Sequence, residues 1–490
     1  MKRHILLILS GLLCSGLFSQ VYTPDWESLD ARKTPDWYSN ARFGISVHYG
    51  LFSVPSYRAF RKDENGNISK ADNQVEWYVP DVMYDPYKKD LFHQNAYGRN
   101  FSYFDFAPFF RAELYNPDEW MKLFRNAGAS YVVLTAKQAD GYCLWPTRDK
   151  YFEGFNTFSK GPGKDLVGEF VEKARLNGLR TGLYYSFTEF WSTRTNSWPG
   201  DPALRTGFYV PENIWQTYHI PEDEYMDHLH FQVKELVSNY RPDILWIDND
   251  RDYSSSELGS EELLAWIYNE APNRDRIVVN NRWGNDTGGR HGGFYTAGFG
   301  QEKEDLTTNR IWELSAPLTY SNAYNRAESL NDYKSADDLI EMLAKTTAKG
   351  GNFLLNIGPE SGGNIPLITR ERLIKIGKWM ESNREAINGT RPFIPDTSYW
   401  VINPKAGEDI LFTTAEDYIY VFLCDWKIDA VSLKQFNIGK YSNALHLGSK
   451  KVVDIDFKKD GVVLKLPPNR NERVSVVRIQ DVREKPGKKE

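Results

Sequence analysis

The sequence predicts a parallel α/β barrel followed by an all-β domain, and three observations support this fold class. From about residue 40 to 360, short apolar runs alternate with amphipathic helical patterns, over a length that favours a (β/α)8-type barrel over an open sheet. After Pro392 the short apolar runs continue without helical patterns between them, which is typical of an antiparallel β-sandwich. The 490 residues are 41% hydrophobic and 26% charged, which is enough for a large core.

The chain begins with a predicted secretory signal peptide, residues 1–20. Lys2 and Arg3 precede an apolar run over 5–13, and small residues follow it. No later apolar run reaches about 18 residues, so we expect no membrane span. A lipid anchor at Cys14 is disfavoured, because a leucine precedes it where a small residue is expected. The expected location of the mature protein is secreted or periplasmic.

The barrel is predicted to occupy residues 21–392, with its elements read from hydrophobic patterns. The run Tyr131–Thr135 is continuously apolar, as in a strand buried on both faces. Residues 165–177 place apolar side chains on one helical face, and Gly178 follows as a stop signal. The same reasoning predicts strands at 43–47, 181–186, 243–248, 277–280 and 352–357. It predicts further helices around 223–239, 260–270 and 367–387.

The β-sandwich is predicted over residues 393–482, and a charged tail over 483–490. Its expected strands are 399–401, 410–412, 418–423, 452–456 and 462–466. Cys143 and Cys424, which remain after signal-peptide removal, lie far apart in the sequence. Two cysteines do not form a disulfide framework, so we expect two unpaired, buried thiols.

Charge and motif content exclude several classes of function. A net charge of −6 and a pI of 5.9 leave no basic surplus to neutralise nucleic-acid phosphates. The eight His residues show no HExxH or paired spacing, and the glycine pairs lack the phosphate-loop arrangement. We therefore expect no metal and no cofactor. The aromatic content of 14% is high and suits a sugar-binding cleft as well as a core.

Polar side chains follow several predicted strands, where a parallel barrel carries its catalytic groups. Asp248 is the strongest candidate, because it ends a strand too apolar to need a carboxylate for solubility. The other strand-end groups are His48, Lys137, Asp140, Glu189, Asn280, Asn281 and Arg282. Taken singly, each of these also fits a structural role such as helix capping.

Seven ordered segments resemble the α-L-fucosidase family, glycoside hydrolase family 29, and the resemblance covers about residues 35 to 395. They are RFGISVHYGLFSVPSY (42–57), EWY (76–78), YNPDEWMKLFRNAGASYVVLTAKQADGYCLWPT (115–147), DLVGEFVEKAR…GLYYS (165–186), RPDILWIDND (241–250), VVNNRWG (278–284) and KGGNFLLNIGP (349–359). The resemblance implies a barrel with a C-terminal β-sandwich, no metal cofactor, and retaining hydrolysis of a terminal α-linked L-sugar from an oligosaccharide or glycoconjugate.

The resemblance also assigns roles to individual residues. Asp248 matches the family nucleophile, which attacks the anomeric carbon to give a covalent glycosyl-enzyme. The family's sugar-contact positions map to His48, Glu76, Trp77, Tyr184, Trp246 and Arg282. Lys137, Gln138 and Asp140 fall in a second sugar-binding run, and Ser46 and Asn322 fall on the walls of the pocket for the fucose methyl group.

The acid/base residue is the least defined role. Many relatives have a Thr-Pro-Glu-Tyr run, where this chain reads Thr296-Ala297-Gly298-Phe299. The expected glutamate is therefore absent at Gly298. Glu302 is the first candidate in its place, and Glu304 and Glu313 are alternatives.

Substitutions in the pocket predict an altered specificity. Two apolar walls become Ser46 and Asn322, and the family's Lys-His-His-Asp-Gly reads Lys137-Gln-Ala-Asp-Gly here. Polar walls favour a hydroxyl at C6, because buried polar groups without partners are unfavourable. We therefore expect a non-fucose sugar with a C6 hydroxyl, of the L-glucose or L-galactose type. L-quinovose, which has no C6 hydroxyl, is included because members resembling the family act on it and because the lost His favours a different configuration at C4. The alternatives are a true α-L-fucosidase acting on branched or sulfated fucosides, and a catalytically silent carbohydrate-binding protein.

Overall fold

A computed structural model of the chain describes ten stretches of residues. They are 21–60, 73–83, 91–190, 220–297, 310–393, 410–424, 429–434, 436, 438–467 and 472–481. The predicted signal peptide, the strand at 399–401 and the charged tail lie outside these residues. None of the described helices is both long enough and apolar enough to cross a membrane.

Eight parallel strands form the first sheet, which confirms the predicted barrel-type fold. They are β1 Phe43–Val47, β2 Tyr131–Lys137, β3 Arg180–Ser186, β4 Ile244–Asp248, β5 Val278–Val279, β6 Tyr295–Ala297, β7 Trp312–Pro317 and β8 Asn352–Ile357. The strand order is β5-β4-β3-β2-β1-β8-β7-β6. Between the end strands, the Phe294 N–H donates to the Val279 carbonyl at 3.1 Å, which brings the two edges of the curled sheet together.

Helices separate the strands along the chain. They are α1 Trp26–Asp30, α2 Asp36–Ser39, α3 Phe92–Tyr97, α4 Pro117–Ala127, α5 Leu166–Leu176, α6 Glu222–Tyr240, α7 Ser260–Asn269, α8 Ala336–Ala348 and α9 Leu367–Asn383. In α5, Asp165 accepts from the Gly168 N–H at 2.8 Å and acts as the N-cap, so the predicted segment 165–177 includes both flanking residues. Helix α9 is shorter than predicted, because a 3₁₀ turn, Arg384–Ala386, replaces the last residues of the predicted helix.

Side chains of the barrel strands alternate between two cores. Ile45, Leu134 and Leu183 point outward into the large core shared with the helices. Tyr131, Val133, Tyr184, Trp246 and Leu354 belong to a smaller cluster inside the barrel. Because both faces are buried, the strands read as continuous apolar runs, which is why most of them could be found in the sequence. β6 and β7 were not predicted; their polar residues Thr296, Glu313 and Ser315 interrupt the apolar pattern.

The second sheet is antiparallel. Its strands are β9 Arg391–Pro392, β10 Ile410–Ala415, β11 Tyr418–Leu423, β12 Ala430–Lys434, β13 Asn443–His446, β14 Lys451–Lys458, β15 Gly461–Lys465 and β16 Ser475–Gln480, in the order β12-β15-β14-β13-β16-β11-β10-β9. Apolar residues of β10 to β16 share one core. β9 precedes the predicted boundary at residue 393 and already pairs with β10.

The antiparallel sheet packs against the barrel helices. Tyr420, Phe422 and Val476 belong to the large core of the barrel domain. The Trp379 indole in α9 donates to the Val474 carbonyl at 2.8 Å. Cys143 and Cys424 are both buried, as predicted.

Candidate active site

Asp248 lies at the carboxyl end of β4 and is held by two donors. Its Oδ1 accepts from Arg282 Nη1 at 3.0 Å, and its Oδ2 accepts from the Tyr184 hydroxyl at 2.9 Å. The side chain is 26% exposed, so the carboxylate is oriented by the protein and still open to solvent. These contacts with charged and hydroxyl donors fix one carboxylate geometry at the strand end.

Tyr184 and Trp246 form the floor beneath Asp248. Their rings stack at 5.5 Å between centroids, and both belong to the cluster inside the barrel. β3 and β4 pair Tyr184 with Trp246 and Ser186 with Asp248, so successive inward positions bring floor and carboxylate together. Arg282 lies over the Trp246 ring at 5.6 Å, which adds a cation–π contact.

Arg282 is anchored from the side opposite Asp248. Its Nε donates to the Thr296 hydroxyl at 2.9 Å, and that hydroxyl donates to Asn281 Oδ1 at 3.0 Å. Burial alone would lower the pKa of Arg282. The carboxylates of Asp248 and Asp250 raise it by more than burial lowers it, so its net pKa lies above the ordinary value. Burial raises the pKa of Asp250 itself to about 6.

His48 and Glu76 flank the nucleophile and carry polar atoms without partners. His48 Nδ1 and Glu76 Oε2 are buried and form no hydrogen bond within the described part of the protein. His48 Nδ1 lies 3.8 Å from Glu76 Oε1. Burial lowers the pKa of His48 to about 4, against the opposing charge of Asp248, and burial raises the pKa of Glu76. Buried polar atoms left open beside a nucleophile suit the hydroxyl groups of a bound sugar.

Both ends of the Asn322 side chain bond to protein groups, contrary to the expectation that it faces a substrate hydroxyl. Its Nδ2 donates to Glu76 Oε1 at 2.9 Å, and its Oδ1 accepts from Asn356 Nδ2 at 2.8 Å. An amide with both ends bonded does not need a substrate hydroxyl for satisfaction. The argument for a C6 hydroxyl is therefore wrong where it rests on Asn322.

Ser46 lies within β1, in register with Asn356 and Val133. The residue is buried. Trp77, at the end of the turn that carries Glu76, packs against Phe190 at 5.3 Å between ring centroids. Both residues remain predicted substrate contacts.

Gln138 bonds the strand ends around the nucleophile. Its Oε1 lies 3.1 Å from the Tyr184 hydroxyl and accepts from Asn249 Nδ2 at 3.0 Å and from the Ala139 N–H at 2.9 Å. Asn249, directly after the nucleophile, has φ of 56° and also donates to Ser186 Oγ at 2.8 Å. The oxygen of Gln138 is thus occupied by protein donors, and only its Nε2 stays available for a ligand.

Lys137 does not reach the sugar pocket, which corrects its prediction as a substrate contact. A register shift between Thr135 and Lys137 aligns Lys137 with Tyr185, whose side chain lies on the outer face of the sheet. There the ammonium is 0% exposed, forms an ion pair with Glu189, and donates to the Tyr185 hydroxyl at 3.0 Å. The bulge turns the side chain away from the interior.

Asp140 is likewise engaged by the protein. Its Oδ2 accepts from the Tyr103 hydroxyl at 2.5 Å, and its Oδ1 accepts from the Tyr142 N–H at 3.1 Å. Burial raises the pKa of Asp140 to about 6. These contacts indicate a role in holding the loop after β2.

Glu313 lies inside the barrel below the floor, and this position argues against it as the acid/base. The side chain is 0% exposed. It accepts from Trp246 Nε1 at 2.9 Å and from the Tyr38 and Tyr131 hydroxyls at 2.8 and 2.5 Å. Both oxygens are satisfied by core donors. Glu302 and Glu304 lie outside the described residues, so both remain predicted candidates.

Three residues at the site were missed by sequence reasoning: Asn249, Asp250 and Asn356. Asn249 and Asp250 directly follow the nucleophile in the run Asp-Asn-Asp, so adjacency was a usable signal. Asn356 interrupts the apolar strand β8, and a polar residue in such a strand is itself a signal. In the described part of the chain, no group of three His, Cys, Asp or Glu side chains could hold a metal ion.

Comparisons with known proteins show which family the chain resembles. The sequence model of the α-L-fucosidase family matches residues 13–385. The rat tissue α-L-fucosidase is 34% identical over 429 residues, which cover 87% of this chain and 84% of that protein. The α-L-fucosidase of Branchiostoma floridae is 35% identical, with 86% and 85% covered.

A solved structure extends the similarity to three dimensions. The Thermotoga maritima α-fucosidase in complex with a mechanism-based inhibitor superposes with a TM-score of 0.75 at 31% identity, covering 94% of this chain and 100% of that one. These relatives are enzymes by name, which speaks against the alternative of a silent carbohydrate-binding protein. The chain belongs to the α-L-fucosidase family and is a retaining glycoside hydrolase of that type.

Proposed function

We propose that the protein removes terminal α-linked L-fucose from oligosaccharides or glycoconjugates, with Asp248 as the nucleophile. The observation that carries the proposal is the geometry of Asp248, a strand-end carboxylate oriented by Arg282 and Tyr184 and still open to solvent. An oriented carboxylate next to unpartnered buried polar atoms of His48 and Glu76 can hold a sugar and attack it in the same pocket.

The reaction proceeds by two displacements. An Asp248 oxygen bonds to the anomeric carbon while the glycosidic C–O bond breaks, and the leaving oxygen takes a proton from the acid/base carboxyl group. The same group, now ionised, takes a proton from water as that water attacks the anomeric carbon. The C–O bond to Asp248 breaks in this same step, which frees the carboxylate and releases the sugar with retained configuration. Arg282 stabilises the Asp248 charge when it is released.

Glu302 is the proposed acid/base residue. A retaining mechanism needs the second carboxyl about 5 Å from the nucleophile. Along the sequence, Glu302 is the first glutamate after Gly298, the position where relatives carry theirs. The test is azide rescue of alanine variants on an aryl glycoside with a good leaving group. Rescue of Glu302→Ala supports the assignment, and rescue of Glu304→Ala in its place transfers the role. Rescue of neither variant removes both candidates.

A second candidate substrate is an L-sugar with a hydroxyl at C6, and one observation favours it. Ser46 is a buried polar residue in a fully buried strand, and its hydroxyl offers a hydrogen-bonding group for a C6 hydroxyl. Asn322 no longer supports this candidate, because its amide is occupied. The relatives compared above are named for fucose, which supports the first candidate.

Matched substrates decide between the two candidates. We would measure initial rates on aryl α-L-fucoside, α-L-quinovoside, α-L-glucoside and α-L-galactoside with one leaving group. The proposal expects the fucoside to have the highest kcat/KM. A higher value for a C6-hydroxylated sugar, abolished selectively by Ser46→Ala, would support the second candidate and overturn the first.

We also propose that residues 1–20 direct export and are removed. The charged start, the short apolar run and the small residues that follow support this. N-terminal sequencing of the protein recovered from the producing cell tests it. A start near residue 20 is expected, and an intact Met1 would contradict it.

A further inference from the structure

A chain of buried amides runs from the barrel strands to Glu76. Ser315 on β7 contacts Asn356 on β8, with the Asn356 Nδ2 donating to the Ser315 hydroxyl at 3.0 Å. The same Nδ2 donates to Asn322 Oδ1 at 2.8 Å, and Asn322 Nδ2 donates to Glu76 Oε1 at 2.9 Å. Glu76 and Asn356 are buried, and Asn322 is half-buried.

The Glu76 oxygen at the end of this chain sets the direction of every bond in it. Glu76 Oε1 accepts from Asn322, so the NH₂ group of Asn322 faces Glu76, and this donor favours the ionised form of the carboxyl group. The Asn322 carbonyl then faces Asn356, which must in turn present its own NH₂ group. Successive bonds of one polarity in a buried environment strengthen one another.

The backbone holds Asn322 in place for this contact. The Asn322 N–H donates to Gln74 Oε1 at 3.0 Å, and the Val75 N–H donates to Ser321 Oγ at 3.1 Å. Glu328 Oε1 accepts the N–H groups of Tyr320 and Ser321, both at 3.2 Å. The loop that carries Asn322 is therefore bonded to the turn that carries Glu76, independently of any sugar.

We propose that Asn322 and Asn356 are positioning residues that orient Glu76, so that its free Oε2 and the neighbouring His48 face the sugar. The inference rests on the proposed function, since it assigns the sugar as the partner of these two groups. Asn322 then acts through Glu76 and does not contact the C6 substituent. The polar side chain of Asn322 at this pocket wall is therefore explained by its contact with Glu76.

The test uses the near-isosteric substitutions Asn322→Leu and Asn356→Leu in the full-length enzyme. Loss of the Asn322 donor removes a bond that stabilises ionised Glu76, so the pKa of the Glu76 carboxyl should rise by about one unit, and the acid limb of kcat/KM should move to higher pH to the extent that Glu76 sets it. Asn356→Leu should move the limb in the same direction by less. The double variant should match Asn322→Leu, because both act through one chain of contacts.

Two controls separate positioning from simple structural damage. Asn325→Leu removes a buried asparagine of the same loop that bonds Arg58 and lies outside this chain. It is expected to lower Tm and leave the acid limb unmoved. In a Glu76→Gln background, Asn322→Leu should have no further effect on the limb.

The outcomes are distinct. If Asn322→Leu changes only the preference between fucoside and a C6-hydroxylated sugar, Asn322 is a direct sugar contact and the inference is overturned. If it only lowers Tm, the residue is merely structural and the inference is again overturned. Infrared difference titration of the Glu76 carboxyl band, with Glu76→Gln as the blank, follows the same shift without turnover. It therefore tests the inference even if no fucoside is hydrolysed and the proposed function fails.

Discussion

Individual residues at strand ends determine the chemistry, and the sequence predicts some of them well. Asp248 could be singled out because a carboxylate at the end of an apolar strand has few structural reasons to be there. Residues whose side chains bond to one another were harder to predict. Asn322 was assigned to the pocket wall from the family resemblance, and its bond to Asn356, 34 positions away in the sequence, could not be predicted.

The Tyr184 hydroxyl gives a prediction with a matched control. Tyr184→Phe removes a hydrogen bond to the ionised nucleophile, and such bonds contribute about 1.5–3 kcal/mol, so kcat should fall by about 10- to 150-fold. Tyr185→Phe removes the same atom from the adjacent residue, whose hydroxyl bonds Lys137 and Gln232 on the outer face. We expect a change in Tm for Tyr185→Phe with kcat nearly unchanged. Equal losses of kcat in the two variants would contradict the role of Tyr184.

His48 gives a prediction about pH. Since burial lowers its pKa to about 4, His48 is neutral in the folded protein above that pH. The shape of the pH profile of kcat/KM between pH 5 and 8 should therefore be the same in the wild type and in His48→Gln. Rates from pH 5 to 8 for the wild type and this variant check this. Loss of a limb near pH 6 to 7 in the variant would show that His48 titrates in that range.

At the scale of single elements, the bulge in β2 shows what periodicity cannot predict. The alternation of inward and outward side chains places Lys137 inside the barrel, and the register shift after Thr135 turns it outward. No residue type in the run YVVLTAK marks the shift. Strands with unbroken apolar character, such as β2 to β4, were found in the sequence. Short or polar strands such as β6 and β7 were not.

The buried pair Lys137–Glu189 gives a prediction at this scale. Burial alone raises the pKa of Glu189, but Lys137 and His228 lower it to about 2, below its ordinary value of 4.5. A lowered carboxyl pKa stabilises the fold above pH 4.5, and this contribution is lost as the pH falls from 4.5 to 2. Glu189→Gln leaves Lys137 buried without its countercharge and should cost about 3–5 kcal/mol at neutral pH.

Chemical denaturation at pH 7 and pH 3.5 measures this effect. The difference between the wild type and Glu189→Gln should shrink at the lower pH. Glu172→Gln, which breaks the exposed pair with Lys173, serves as the control and should change stability by less than about 0.5 kcal/mol. A large loss of stability in both variants, or in neither, would contradict the account of the buried pair.

At the scale of the whole molecule, the antiparallel sheet and the barrel domain share one hydrophobic core. Its inward face contributes Tyr420, Phe422 and Val476 to the core shared with the barrel. Arg473 binds Asp338 and Glu341 of α8 at 2.7 and 2.6 Å. The loss of helical patterns after Pro392 was visible in the sequence. The packing of the two sheets was not, since it depends on residues far apart in the chain.

Truncation after residue 392 tests this dependence. We expect the shortened chain to aggregate on expression, because removal of the sheet exposes an apolar face of the large core. The full chain should unfold in one calorimetric transition. A soluble truncated protein with full activity, or two separate transitions in the intact chain, would contradict a shared core.

The central claim is that Asp248 forms a covalent bond to the sugar. The most direct measurement is mass spectrometry of the protein after incubation with 2-deoxy-2-fluoro-α-L-fucosyl fluoride, followed by peptide mapping. A fluorinated glycosyl-enzyme should accumulate, because the fluorine at C2 slows both its formation and its hydrolysis, while the reactive fluoride leaving group speeds only its formation. The account predicts a single adduct on the peptide containing Asp248, and none in Asp248→Ala. An adduct on another carboxylate, or turnover with inverted configuration and no adduct, would contradict it.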